Sequence, residues 1–77
     1  MNITLDLKGL KCPLPALRTR KALKSLAPGE AISVACTDPL ARIDIPNLLS
    51  QTGDMLDAVE EQGEVIVFRI RKRPPAA

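Results

Sequence analysis

The spacing of apolar residues changes period twice before position 36, and that change restricts the folds open to the chain. Ile3, Leu5 and Leu7 alternate with Thr4 and Asp6, the pattern of a strand with one buried face. Gly9 interrupts it. From Pro13 to Leu26 the positions Pro15, Thr19, Ala22, Leu23 and Leu26 form a helical stripe, which should face a sheet. Pro28 and Gly29 then stop the helix, since proline cannot extend it and glycine accepts a left-handed cap. Ile32, Val34 and Cys36 return to alternation with Ser33 and Ala35. A helix between two strands is a crossover, so the second strand should run parallel to the first.

A second helix is predicted from Asp38, an N-cap acceptor, and Pro39, at the first helical position. Its apolar set is Ile43, Ile45, Leu48 and Leu49, and Gly53 ends it. Pro46 allows two forms: Asp44 recaps the chain so that Pro46 lies in a first turn, or a continuous helix kinks there. Met55 to Glu61 and Glu64 to Lys72 read as strands around a Gln62-Gly63 hairpin turn,. The last strand should bury Ile66, Phe68 and Ile70. The strand before it permits either register, with Leu56 and Ala58 inward or Met55 and Val59 inward. The resulting order, βαβαββ, is an α+β fold. The expected form is a two-layer α/β sandwich, with a mixed four-stranded sheet carrying two helices on one face. Residues 1–73 should make a single domain and 74–77 a disordered tail. A chain of 77 residues buries only about 60 to 65% of its unfolded surface, so chemistry belongs at the surface and not in a chamber.

Composition removes several functions. Phe68 is the single aromatic residue, too few rings for a base-stacking platform, which argues against direct nucleic-acid binding. With no histidine, the usual general base near neutral pH and His-containing zinc sites are excluded. No apolar run approaches the eighteen or so residues of a membrane span, and Asp6 and Lys8 interrupt the N-terminus. Two cysteines, Cys12 and Cys36, are too sparse for a disulfide scaffold and fit the cytoplasm, where thiols stay reduced. The net charge is +2, with basic clusters at Arg18, Arg20, Lys21, Lys24 and at Arg69, Arg71, Lys72, Arg73. Such clusters suit an acidic protein, a phosphate backbone or solubility alone.

Cys12-Pro13-Leu14-Pro15 carries the chemistry. Cys12 is placed at the N-cap, with prolines at the first and third helical positions. Each proline fixes its own φ and restricts its predecessor, so the sulfur should be aimed outward. The positive helix end, with Lys8 and Lys11 nearby, should favour thiolate and lower the thiol pKa. The effect is moderated by the two amide hydrogens that proline lacks, which leave chiefly Leu14 and Ala16 as donors. A nucleophile without base, metal or chamber suits attack on a sulfane sulfur held as a persulfide, with specificity supplied by partner proteins. The plainer reading of Cys12 is a small buried core residue. Cys36 continues the buried alternation and reads as core, though both thiols should lie at one sheet end and Cys36 could serve as a resolving thiol. Leu14 and Leu17 lie off the helical stripe among basic residues, as a docking face, as ordinary exposed leucines, or covered by the tail.

Leu5-Asp6 to Gly9-Leu10-Lys11-Cys12-Pro13-Leu14-Pro15, with Pro28-Gly29-Glu30, Asp38-Pro39 and Asp44-Ile45-Pro46, resembles the TusA/SirA sulfur-carrier family over nearly the whole chain. The resemblance implies a fold like the C-terminal domain of translation initiation factor 3. It also implies a sulfurtransferase whose motif cysteine, Cys12, takes sulfur from a cysteine desulfurase or rhodanese. Acceptor proteins would serve tRNA thiolation, molybdenum cofactor maturation or sulfur oxidation. Lys11, Pro13, Leu14 and Pro15 are then the supporting motif, and Leu17, Arg20, Lys24 and Asp38 the partner-binding set. No metal, no cofactor and a monomer are expected. Two other readings stay open: a binding or regulatory module, perhaps of RNA, using the Arg69 to Arg73 cluster, and a dithiol redox protein using Cys12 and Cys36.

Overall fold

The alternating and helical segments fold as six elements. In the computed structural model, which describes residues 2–73, they are β1 (Asn2–Leu7), α1 (Leu14–Lys24), β2 (Ala31–Cys36), α2 (Ala41–Thr52), β3 (Met55–Gln62) and β4 (Val65–Arg71). The tail expected at 74–77 lies outside the described residues. The strands form one sheet in the order β1-β2-β4-β3. β1 and β2 are parallel, whereas β4 is antiparallel to both of its neighbours.

A single core explains the layering. Leu23 and Leu26 from the α1 side and Ile45 and Leu49 from α2 join one cluster with Ile32, Val34, Cys36, Ile66, Phe68 and Ile70. Because both helices bury their stripes against the same alternating sheet positions, they share one face and the fold has two layers. The α1 stripe is as its spacing predicts: Pro15, Thr19 and Leu23 are buried, and the Thr19 hydroxyl donates to the Pro15 carbonyl at 2.7 Å. β1 lies at the sheet edge, so its alternation fades outward from buried Leu7 to Ile3, which is 40% exposed.

Element ends differ from the sequence expectation. Pro13, not Cys12, is the N-cap of α1, and the helix stops at Ser25, before Leu26; a tight turn from Leu26 N–H to the Leu23 carbonyl, 3.2 Å, still brings Leu26 inward. α2 begins at Ala41, with Asp38 and Pro39 in the preceding turn. There Asp38 Oδ1 accepts the Leu40 N–H at 3.0 Å, an Asx turn competing with helix,. Ile43 is 60% exposed and Ala41 is buried in its place. α2 runs through Pro46 unbroken; the partner this proline denies is the carbonyl of Arg42, an exposed residue open to water,. The hairpin turn is Gly63-Glu64, since Gln62 pairs with Val65; a left-handed φ of 61° at Gly63 suits the first position of a type II′ turn. β3 resists a single register because Asp57 is an extra residue in a bulge between Leu56 and Ala58,. Met55, Leu56 and Val59 are all exposed and only Ala58 is half-buried.

Leu23→Ala, at a position 1% exposed, should cost about 2–5 kcal/mol in urea unfolding. Leu17→Ala, at 54% exposure on the same helix, should stay within about 0.5 kcal/mol. Equal losses would contradict the assignment of the buried face.

Candidate functional site

Parallel pairing of β1 and β2 sends both segments out at the same end of the sheet, and the two loops that follow are bound together. The Gly9 N–H donates to Thr37 Oγ1 at 2.9 Å, where Gly9 holds a left-handed φ of 86°. The Cys12 N–H donates to Asp38 Oδ2 at 2.5 Å. With Oδ1 on Leu40, one carboxylate thus ties the cysteine loop to the turn that starts α2. These two N–H donors hold the Asp38 carboxyl below its usual range, with Lys11 adding to the effect and burial opposing it,.

The Cys12 side chain is exposed, with the preceding expectation of an outward sulfur met. The Cys12-Pro13 peptide is cis. Two clefts meet at this residue. One, of about 530 Å³, lies between the loops and is lined by Leu10, Lys11, Asp38 and Leu40. The other, of about 330 Å³, runs between α1 and α2 past Leu17, Arg20, Asp44 and Asn47.

Sγ of Cys12 donates to Asp44 Oδ2 at 2.7 Å, and this corrects the expected electrostatics. The thiol pKa is raised, first by that hydrogen bond, then by desolvation and by the charges of Asp44 and Asp38. A carboxylate against sulfur stabilises S–H and repels thiolate. The helix end is also farther away than its spacing suggests: Cys12 sits one residue beyond the N-cap, and the Leu14 N–H is spent on the Lys11 carbonyl at 2.9 Å. Asp44 was missed as a site residue because nothing local links it to Cys12, and its place two residues before Pro46 reads as a helix cap.

The remaining expected residues divide. Lys11, Pro13 and Leu14 are exposed around the sulfur, whereas Pro15 is buried as the anchor of α1. Leu17 and Arg20 flank the interhelical cleft with Cys12. Lys24 lines a different cleft, with Arg20, Lys72 and Arg73. Asp38 stands on the loop side, and its visible role is the clamp. Cys36 is fully buried, its pKa pushed up to about 11 by burial and the Asp38 charge, so it is a core residue and is sealed from partners. The basic run of β4 is partly neutralised: Arg69 pairs with Glu60 at 3.0 Å and Arg71 with Asp57 at 3.1 Å, which removes charge from a nucleic-acid surface. Among the described residues no group of three or more His, Cys, Asp or Glu side chains is placed to hold a metal ion, and no helix is long and apolar enough to cross a membrane.

Since alkylation follows the thiolate fraction, the sign of the shift is testable. A raised folded-state pKa means that the S–H form, with its bond to Asp44, is retained below the unfolded value and lost as pH rises through the folded one. The midpoint of Cys12 alkylation by iodoacetamide should lie at higher pH in the native protein than in the urea-unfolded chain. A lower native midpoint would contradict the hydrogen bond to Asp44.

The sequence and the fold match known proteins. The family model described as Sulfurtransferase TusA matches residues 3–72. The chain is 40% identical to the sulfur carrier protein TusA of Allochromatium vinosum over 68 residues, covering 88% of this chain and 90% of that one. It is 37% identical to the sulfur carrier protein TusA of Pseudomonas entomophila, covering 94% and 90%. The crystal structure of the SirA-like protein from Desulfitobacterium hafniense superposes with a TM-score of 0.81 at 27% identity, over 95% of this chain and 99% of that one. With its family model spanning both loops, both helices and all four strands, the chain belongs to the TusA sulfurtransferase family.

Proposed function

We propose that this protein is a sulfur carrier that takes up sulfane sulfur on Cys12 as a persulfide and passes it to an acceptor protein. The observation that carries the reading is the exposed Cys12 sulfur at the junction of two open clefts, on a loop clamped by Asp38. The relatives named sulfur carriers support it.

Loading is a thiol exchange. Sγ attacks the outer sulfur of a donor persulfide, a new Sγ–S bond forms, and the donor's S–S bond breaks. The donor sulfur leaves as a thiolate that takes up the proton given up by Cys12, while the outer sulfur keeps its own. Unloading repeats the exchange with Cys12 as the leaving sulfur. No cofactor enters, and the donor and acceptor supply the driving force, so the protein works as a sulfurtransferase only with partners.

The donor is a cysteine desulfurase or a rhodanese-type protein, docking over Leu17, Arg20 and Lys24 on α1. Acceptors belong to tRNA thiolation, molybdenum cofactor maturation or sulfur oxidation. The carrier acts as a monomer in the cytoplasm, where reducing conditions keep Cys12 free.

Incubation with a cysteine desulfurase and cysteine, followed by intact mass measurement, should show the gain of one sulfur atom in the parent protein and none in Cys12→Ser. Equal uptake by Cys12→Ser would remove the site.

A further inference from the structure

Four charged residues stand on the elements around Cys12: Lys11 on its own loop, Asp38 on the loop after β2, Asp44 on α2, and Arg20 on α1, lining the interhelical cleft. Their roles differ. Asp38 is occupied by two backbone donors, and Lys11 lies on the side of the loop cleft. Asp44 alone among these groups bonds Sγ itself. Among the described residues Asp44 forms no ion pair, although Arg20 lines the same cleft. Asp44 is a half-buried residue of the cleft wall, within reach of a partner docked there.

That arrangement is the reverse of an activated thiol. A nucleophilic cysteine is served by a neighbouring cation or a free helix terminus, and here a carboxylate occupies that place. Yet the thiol stands in an open cleft, where small oxidants and alkylators reach it as easily as a partner does. An empty carrier needs protection from the first and reactivity toward the second. We propose that Asp44 is a charge lock on the empty carrier: its carboxylate holds Cys12 in the unreactive S–H form, and a lysine or arginine on the sulfur donor opens the lock by pairing with that carboxylate.

Opening is electrostatic. When a donor cation neutralises Asp44, the negative charge that opposed thiolate formation is cancelled, and the Sγ proton passes to the departing donor thiolate as the Sγ–S bond forms. Asp44 acts on the reaction through Cys12 and is therefore a positioning residue. This inference rests on the persulfide-carrier reading for its biological use, but the lock itself is a property of the empty protein.

The experiment compares Asp44→Asn and Asp44→Lys with the parent in two assays. In the first, iodoacetamide alkylation of Cys12 is followed against pH by peptide-mapped mass spectrometry. The rate at neutral pH should rise several-fold for Asn and further for Lys, with the midpoint moving to lower pH in the same order. Cys36 should stay unreactive in all three, which separates loss of the lock from loss of the fold. In the second, loading by a desulfurase with cysteine should gain less from Asp44→Asn than alkylation does, because the docked donor already neutralises the carboxylate in the parent. Unchanged alkylation profiles would overturn the lock. Equal gains in both assays would overturn its opening by a donor cation. A parent protein that is not loaded at all would instead defeat the carrier reading, leaving the alkylation series to decide on the lock.

Discussion

The Asp38 carboxylate is the contact on which the site depends. Parallel pairing of β1 with β2 brings two loops out side by side, but adjacency alone would leave the cysteine loop free to move. Asp38 accepts from Cys12 N–H and Leu40 N–H together, so the position of the thiol is referred to the start of α2. That in turn sets Asp44 against the sulfur. A charge-assisted acceptor shared by two backbone donors is stronger than a neutral pair, and it costs no side-chain bulk near the thiol.

The small size of the chain shapes the rest. One core between the helices and a single sheet face takes up its buried apolar residues, and a chain of this size has too few more to roof a chamber. The two depressions beside Cys12 are therefore open clefts on the surface, lined by exposed Leu17 and Leu40. An exposed thiol gains access at the expense of protection. A nearby carboxylate supplies protection in another form, by keeping sulfur protonated, without closing the route a macromolecular partner would take.

Most of the architecture was legible in residue spacing. The α1 stripe and the alternations of β2 and β4 were plain because each buries one face in a common core. The element ends were less so: Asp38 satisfies a turn before α2 begins, and Pro13 displaces Cys12 from the N-cap, both local hydrogen-bonding choices with several near-equal outcomes. β3 had no readable register because its bulge at Asp57 breaks the alternation and its face is mostly exposed. The motif around Cys12 was visible, and the resemblance to the TusA/SirA family is borne out. The sign of the thiol's perturbation was not, because it depends on Asp44, 32 positions away along the chain, brought in by the packing of α2 and the Asp38 clamp between the loops.

The central claim is that Cys12, and not buried Cys36, bears the transferred sulfur. The most direct measurement is mass spectrometry of peptides from the protein isolated from its own cells without reductant. The account predicts an added sulfur atom on the peptide containing Cys12 and an unmodified peptide containing Cys36. Sulfur found on Cys36, or a Cys12 peptide that never carries it, would contradict the account.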